Sequence, residues 1–504
     1  MGMIDQRRIA RNTLMLYLRM GLMLLISLYT SRVVLDVLGE TDFGIYNAVG
    51  GIVAMFSFIS GTLSTACQRF ILVEIGRGGG ESLRKIFSLC LLVFVALALL
   101  VAVVGEPLGL WFLDNKMIVG GRLDAARWVF HFSILSFVVL VLRLPYQGMV
   151  IAREKMKVFA YISVFEALCA LGIALALPHA SRDRLVVYAG LMLASQVVVT
   201  LLYFGYCRRY YGECRYEFYW DRGRFAQLFS FAGWNMVGSS AAIFKVHGVN
   251  LLLNMFFGPA VNAARGMAFK VYGSIVQLQD NFMMASKPQI MKAWSAGEYD
   301  GMARLVRQSA RFSAYLMMLV SVPVVLEMDF LLGFWLKEVP DYTALFACLM
   351  LANALIDYID YPVQVAIMAK GEMRLYQLTA GLVQLTVLPI SYCLLKFGHC
   401  RPESVFWVSI AVSAVAVGVK ISLGKRLVGL NPLTFITRVI LPVLCVAALS
   451  VGAGYAVRSG MEAGWRRLVA VGLTCVTVEA VSVFSFGMTK SERKSVWERI
   501  RRVV

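Results

Sequence analysis

The sequence predicts an all-α integral membrane protein of about fourteen transmembrane helices, set out as two pseudo-symmetric six-helix lobes followed by two further helices. Three observations predict it. The 504 residues are 59% hydrophobic and only 16% charged, with a mean hydropathy of +0.72, far from the composition of an ordinary soluble domain. Apolar runs of the roughly 20 residues needed to cross about 30 Å of hydrocarbon recur along the whole length. Finally, two blocks of the first half return in the second half at nearly one offset.

The runs lie near residues 12–35, 43–66, 86–106, 128–150, 158–178, 185–206, 229–257, 262–286, 308–332, 343–369, 376–396, 404–424, 434–457 and 466–487. The first follows Arg7, Arg8 and Arg11. It is too long for a signal-peptide core and lacks a small-residue cleavage site, so it is expected to stay as the first helix. The second carries Gly44, Gly50, Gly51 and Gly61, which allow close helix packing or bending. Polar residues interrupt the seventh and eighth, and only a short Gly258-Pro259 turn separates them.

The duplication assigns these helices to lobes. Val33-Val34-Leu35-Asp36-Val37-Leu38-Gly39 aligns with Leu252-Leu253-Asn254-Met255-Phe256-Phe257-Gly258 at an offset of 219 (252 minus 33), which also sets Ala66 on Ala285 and Ile71 on Ile290. Pro145-Tyr146-Gln147 through Ala152-Arg153-Glu154-Lys155-Met156-Lys157 aligns with Pro362-Val363-Gln364 through Ala369-Lys370-Gly371-Glu372-Met373-Arg374 at 217 (362 minus 145). The expected division is residues 1–224 for the N-terminal lobe, 225–430 for the C-terminal lobe, and 431–504 for two additional helices and a basic tail. An even number of helices per lobe lets both halves cross the bilayer in the same sense. That is the two-lobed plan of an alternating-access transporter.

A net charge of +19 would point to nucleic acid in a soluble protein, but its distribution here points to a membrane. Lys and Arg cluster at the N-terminus, after the second run (Arg69, Arg77, Arg84, Lys85), the fourth (Arg153, Lys155, Lys157), the sixth (Arg208, Arg209, Arg215, Arg222, Arg224) and the eighth (Lys287, Lys292, Arg304, Arg307), and in the tail. All these connections fall on one side, which the positive-inside rule makes cytoplasmic. Both termini are therefore expected inside, with no nucleic-acid partner.

Several chemistries are disfavoured. Ten Cys without a C-x-x-C pair and four His in all argue against a metal centre or a disulfide framework. The nearest approach to a phosphate-cradling loop, Gly418 to Gly424-Lys425-Arg426, has one residue too many and lacks the hydroxyl that would hold magnesium. The longest connections, about residues 107–127 and 207–228, are too short for an extramembrane catalytic site. No cofactor and no enzymatic activity are expected. Ion gradients, or the substrate's own, must then supply the energy.

Charges at bilayer depth cost about 2.5–3.5 kcal/mol each even on the permissive insertion scale, so each asks for a reason. Arg19, Arg143, Lys245 with His247, and Lys270 fall inside spans and outnumber the mid-span acids. A cavity lined by Arg19, Arg143, Lys245 and Lys270 would attract an anion such as phosphate or pyrophosphate. Arg32, Lys420 and Arg438 lie nearer span ends, where long stems can reach the headgroups. Glu166, Asp357 and Asp360 are the acids singled out, and the i, i+3 spacing of the last two sets them on one helical face. Asp360 takes the position of Arg143 in the repeat alignment. Two readings stand for these acids: structural ion pairs, or coupling to a proton or sodium gradient. Asn235, Asn250 and Asn254 on the seventh span point to a wet face, since an amide facing lipid would be unpaired.

Ser31-Arg32-Val33-Val34-Leu35 with Leu38-Gly39, then Asp42-Phe43-Gly44-Ile45-Tyr46-Asn47 and Gln68-Arg69-Phe70, resembles the N-terminal region of polysaccharide transporters. These are the O-antigen and capsule repeat-unit flippases of the multidrug/oligosaccharidyl-lipid/polysaccharide exporter superfamily. The resemblance extends through the Pro145 block and the second lobe. It implies a V-shaped bundle in the bacterial inner membrane that flips an oligosaccharide linked to a polyprenyl pyrophosphate of the undecaprenyl type, beside glycan-assembly proteins. It also implies a cationic central cavity, in agreement with the basic residues above. The charged first-helix motif of the lipid-linked peptidoglycan precursor flippase has no match here. A multidrug extruder of the same superfamily, or a membrane glycan polymerase or ligase, are the alternatives.

Overall fold

The computed structural model describes residues 6–76, 80–153, 155–489 and 492–493, and among them the chain is a succession of helices. The first rods are α1 (6–38), α2 (40–76), α3 (Glu81–Lys116), α4 (Leu123–Ala152), α5 (Met156–Ala176, with one further turn to His179), α6 (Arg184–Tyr210) and α7 (Arg222–Phe257). They are followed by α8 (Pro259–Ser295), α9 (299–335), α10 (Thr343–Lys370), α11 (373–397), α12 (Ser404–Val428), α13 (Pro432–Ser459) and α14 (Trp465–Gly487). Each expected apolar run lies inside one of them. Among the described residues 11 helices are long and apolar enough to cross a membrane, and Ile243–Phe257 within α7 forms a shorter apolar stretch.

The duplication is written into the helix ends. Gly39 joins α1 to α2 at φ 75° and ψ 173°, and Gly258, its counterpart at offset 219, joins α7 to α8 at φ 83°. An L side chain is strained at such angles, so glycine is the residue that lets both sharp turns form. The helices beginning there, 40–76 and Pro259–Ser295, also end at that same offset. Pro145 and Pro362 take matching places in α4 and α10; α4 runs on through its proline, whereas α10 breaks at Asp360 just before Pro362, where the missing N–H falls in the first turn of the resumed helix.

Two connections are shorter than the sequence implies. The segment expected as a connection over 107–127 is largely helix. α3 passes a π-turn at Val101–Gly105 and resumes over Glu106–Lys116, where Pro107 sits in the first turn and its missing N–H costs nothing. Likewise α6 and α7 leave only 211–221 between them.

The chain divides into two compact units, Met1–Gly266 and Met267–Val504, with the boundary inside α8. In the first, α4 packs along α6 and α3, and α2 along α7, around a core that includes Phe87, Phe94, Phe130 and Met149. In the second, α9 packs on α10, α13 and α14, and α13 pairs with α14. Its core includes Met302, Met318, Phe435 and Val446. Lipid tails are as apolar as leucine, so association between such helices depends on fit more than on transfer from water. Gly44 shows the fit: a Cβ there would overlap the Pro259 carbonyl. Leu441, Leu444, Val469 and Leu473 are exposed, a surface suited to hydrocarbon.

Candidate functional site

In the first unit, three helices bring one cation and one acid together. Arg143 sits on α4 two residues before Pro145 and is 7% exposed. Its Nη1 lies 3.3 Å and 3.4 Å from the two Glu166 carboxylate oxygens on α5. Gln196 Nε2 on α6 donates to the same carboxylate at 3.0 Å. The guanidinium also stands over the Tyr203 ring of α6, 5.8 Å from its centroid. Arg143 and Glu166, which the sequence assigns to an anion cavity and to ion coupling, thus neutralise each other. An incoming anion would have to compete with Glu166 for this guanidinium.

The second unit holds the counterpart with the charge reversed. Asp360 lies at the break in α10, is 0% exposed, and accepts from Lys420 Nζ of α12 at 3.1 Å. Lys420, expected to reach the headgroups, is only 8% exposed, because a buried carboxylate lies within its reach and offers a stronger partner than the membrane surface. Lys420 occupies the position of Tyr203 at the offset of 217 (420 minus 203). The two lobes therefore make the same α4-to-α6 and α10-to-α12 contact, once with a cation on the proline-bearing helix and once with an acid.

Around Asp360 the polar groups are rich in oxygen. Asp357, one turn earlier, accepts from Asn353 Nδ2 at 2.8 Å and, across to α11, from Gln384 Nε2 at 3.4 Å. Among the described residues, Asn353 Oδ1, Gln384 Oε1 and Asp360 Oδ2 are buried without a hydrogen-bond partner. Two carboxylates one helical turn apart thus stand with the Lys420 ammonium and the amides of Asn353 and Gln384. Such a site can take a proton or a hard monovalent cation. Two residues before Asp360, the Tyr358 hydroxyl donates to Asp280 of α8 at 2.7 Å, and Gln279 beside Asp280 pairs with Ser313.

The remaining predicted cations lie on other helices. Lys245 and His247 are half-buried on α7, whereas Lys270 is exposed on α8. Arg19 is on α1, and its side chain lies outside the described residues, as does that of Asn235. The expected wet face at Asn250 and Asn254 is instead an internal network. Asn254 spans the chain at Ile118, accepting from its N–H at 3.0 Å and donating to its carbonyl at 3.2 Å. Asn250 donates to the Asn47 carbonyl at 3.0 Å and accepts from Arg265 at 3.2 Å. These amides are paired inside protein, which removes the need for water. Arg265 is 7% exposed and also donates to the Val246 carbonyl at 2.6 Å. The sequence reading passed over it and over the buried Glu479 of α14, although both sit within apolar runs where the rule that intramembrane charge needs a reason would have found them.

A sequence profile of the polysaccharide biosynthesis protein family matches residues 9–329. No curated protein sequence matches the chain. Among solved structures, the lipid II flippase MurJ in an inward closed conformation is similar with a TM-score of 0.66 and 10% identity, covering 93% of this chain and 98% of that one. An inward-facing multidrug resistance MATE family transporter of the MOP superfamily gives 0.62 and 12%, covering 80% of this chain and 94% of that one. A MOP superfamily transporter from Pyrococcus furiosus, described as having a binding pocket of reverse polarity, gives 0.56 and 12%, with 81% and 93% covered. At these identities the similarity establishes a shared fold.

Proposed function

Because this chain belongs to the polysaccharide biosynthesis protein family, we propose that it is a flippase for a lipid-linked oligosaccharide. The substrate is an oligosaccharide on a polyprenyl pyrophosphate of the undecaprenyl type, and it moves from the cytoplasmic to the periplasmic leaflet of a bacterial inner membrane. The protein acts as a transporter and not as an enzyme. Both termini are cytoplasmic, the lobes divide near 224/225, and residues 431–504 are appended to them. The observation that carries the reading is the family match over residues 9–329, joined to a fold shared with a lipid II flippase.

The residues supply a mechanism of the same kind. Half-buried Lys245, with Arg19, is a cation for the pyrophosphate in the first unit, and exposed Lys270 is a separate candidate in the second. Arg143 contributes through Glu166, whose competition lets it release an anion as well as bind one. Asp357 and Asp360 take a proton or sodium ion, and occupancy of that site biases alternating access. Flipping of labelled lipid-linked oligosaccharide in proteoliposomes, with and without an imposed proton or sodium gradient, tests the reading. Flipping that depends on the protein and accelerates with a gradient supports it. Transport of organic cations with no flipping of the glycolipid would favour instead a multidrug extruder, the activity named for the MATE structure.

A further inference from the structure

We propose that Glu479, on α14, binds a proton inside the membrane, and that its charge state sets how firmly α14 holds to α9 and α13. The inference does not depend on the identity of the substrate.

Among the described residues, Glu74, Glu327, Asp360 and Glu479 are the buried carboxylates, at 6%, 1%, 0% and 2% exposure. Three have a strong donor. Glu74 accepts from the Ser82 hydroxyl at 2.6 Å, Glu327 from Arg467 at 2.8 Å, and Asp360 from Lys420 at 3.1 Å. For Glu479 the buried Oε2 has no hydrogen-bond partner among the described residues. An ionised carboxylate so placed costs several kcal/mol, and a bound proton removes that cost.

The groups facing it come from both neighbouring helices. α9 presents Tyr315, whose hydroxyl donates to the Gly487 carbonyl at 3.3 Å and which lies within electrostatic reach of Arg311, Glu492, Glu479 and Cys445 of α13. Arg311, one turn before Tyr315 on α9, is committed to Glu492, at 2.7 Å and 2.9 Å from its two oxygens. On α14 itself Cys475 lies one turn before Glu479 and is 0% exposed. The Ser450 hydroxyl of α13 donates to its carbonyl at 3.4 Å, and its thiol donates back to the Ser450 carbonyl at 3.7 Å. Arg311, the cation that shares Tyr315 with Glu479, is therefore already neutralised by another acid. If Glu479 ionises, it must draw in water or compete with Glu492 for Arg311, and either event loosens the seam that Ser450 and Cys475 close. With the proton bound, the seam is shut.

Two measurements on the full chain in lipid nanodiscs decide it. A hydrophobic carbodiimide reacts with protonated carboxyls in apolar surroundings, and the modified residue is read by peptide mass. Adducts on Glu479 and none on the ion-paired Glu327 are expected at neutral pH. Equal labelling of the two, or none on Glu479, overturns the proposal. Alkylation of Cys475 by a maleimide, followed from acidic to alkaline pH, reports the seam. Wild type should rise several-fold more steeply than Glu479→Gln, which cannot ionise. Superimposable curves, which would leave only the thiol's own titration, also overturn it.

Discussion

At Asp360 and Lys420, two residues 60 apart in the chain meet inside the membrane, and neither position declares its partner. Breaking such a pair leaves one buried charge uncompensated, at a cost of about 3–5 kcal/mol. Lys420→Ala should therefore lower the thermal midpoint of the detergent-solubilised protein markedly. Adding Asp360→Ala to it should recover most of the loss. A double variant no more stable than the single one would show that the lysine acts by packing alone. The neighbouring Asp357 accepts from the amides of Asn353 and Gln384. Asp357→Asn should keep the fold and abolish the response of flipping to a proton or sodium gradient. An unchanged gradient response would assign the site a structural role. These contacts were not legible in the sequence, because a charge within an apolar run has a known cost but an unknown neighbour. The spacing of Asp357 and Asp360 revealed a shared face, whereas which helix covers that face depends on packing.

At the scale of the element, the paired glycines are the most exacting feature. Gly39 and Gly258 turn the chain between consecutive helices at positive-φ angles that cost an L residue about 1–3 kcal/mol. Gly39→Ala and Gly258→Ala should each destabilise by that amount, and the two should add, since they serve different turns. Unfolding in denaturant checks both, and a neutral outcome at either would mean that the turn relaxes. Asn254 supports the second turn's approach by bracing the segment after α3 through both hydrogen bonds to Ile118. Asn254→Leu, which removes both hydrogen bonds to the Ile118 backbone, should cost about 1 kcal/mol or more on the same measurement. The lengths of the rods were legible, because the hydrocarbon thickness fixes them. Their continuations beyond the hydrocarbon, such as α3 past its π-turn to Lys116, were not, since no apolar run marks a helix that projects into water.

For the whole molecule, the distribution of basic residues predicts a topology. Engineered cysteines near Arg77, Arg153, Arg209, Lys292 and Lys370 should be labelled from the cytoplasm, and those near Asn115, Pro178, Pro259, Pro340 and Pro402 from the opposite side. Labelling that set Arg209 and Pro178 on one side would remove the alternation of the helices. The native Cys214, between α6 and α7, should stay silent in that experiment. A hydrogen bond with Cys207 and burial push its thiol well above the ordinary range, so little thiolate forms.

What the sequence determined by itself was the solvent and the repeat. Composition and run length require a multi-helix membrane protein, and the two offsets of 219 and 217 require two related halves, because these properties are sums over many residues or spacings along one chain. The tertiary structure alone decided the chemistry at each charge. It paired Arg143 with Glu166, Lys420 with Asp360 and Arg265 with Asn250, and it left the buried Glu479 Oε2 without a hydrogen-bond partner among the described residues. The physical reason is that an intramembrane charge is stabilised by a partner on another helix. Which helix arrives, and with which face, is set by close packing between segments far apart in the chain.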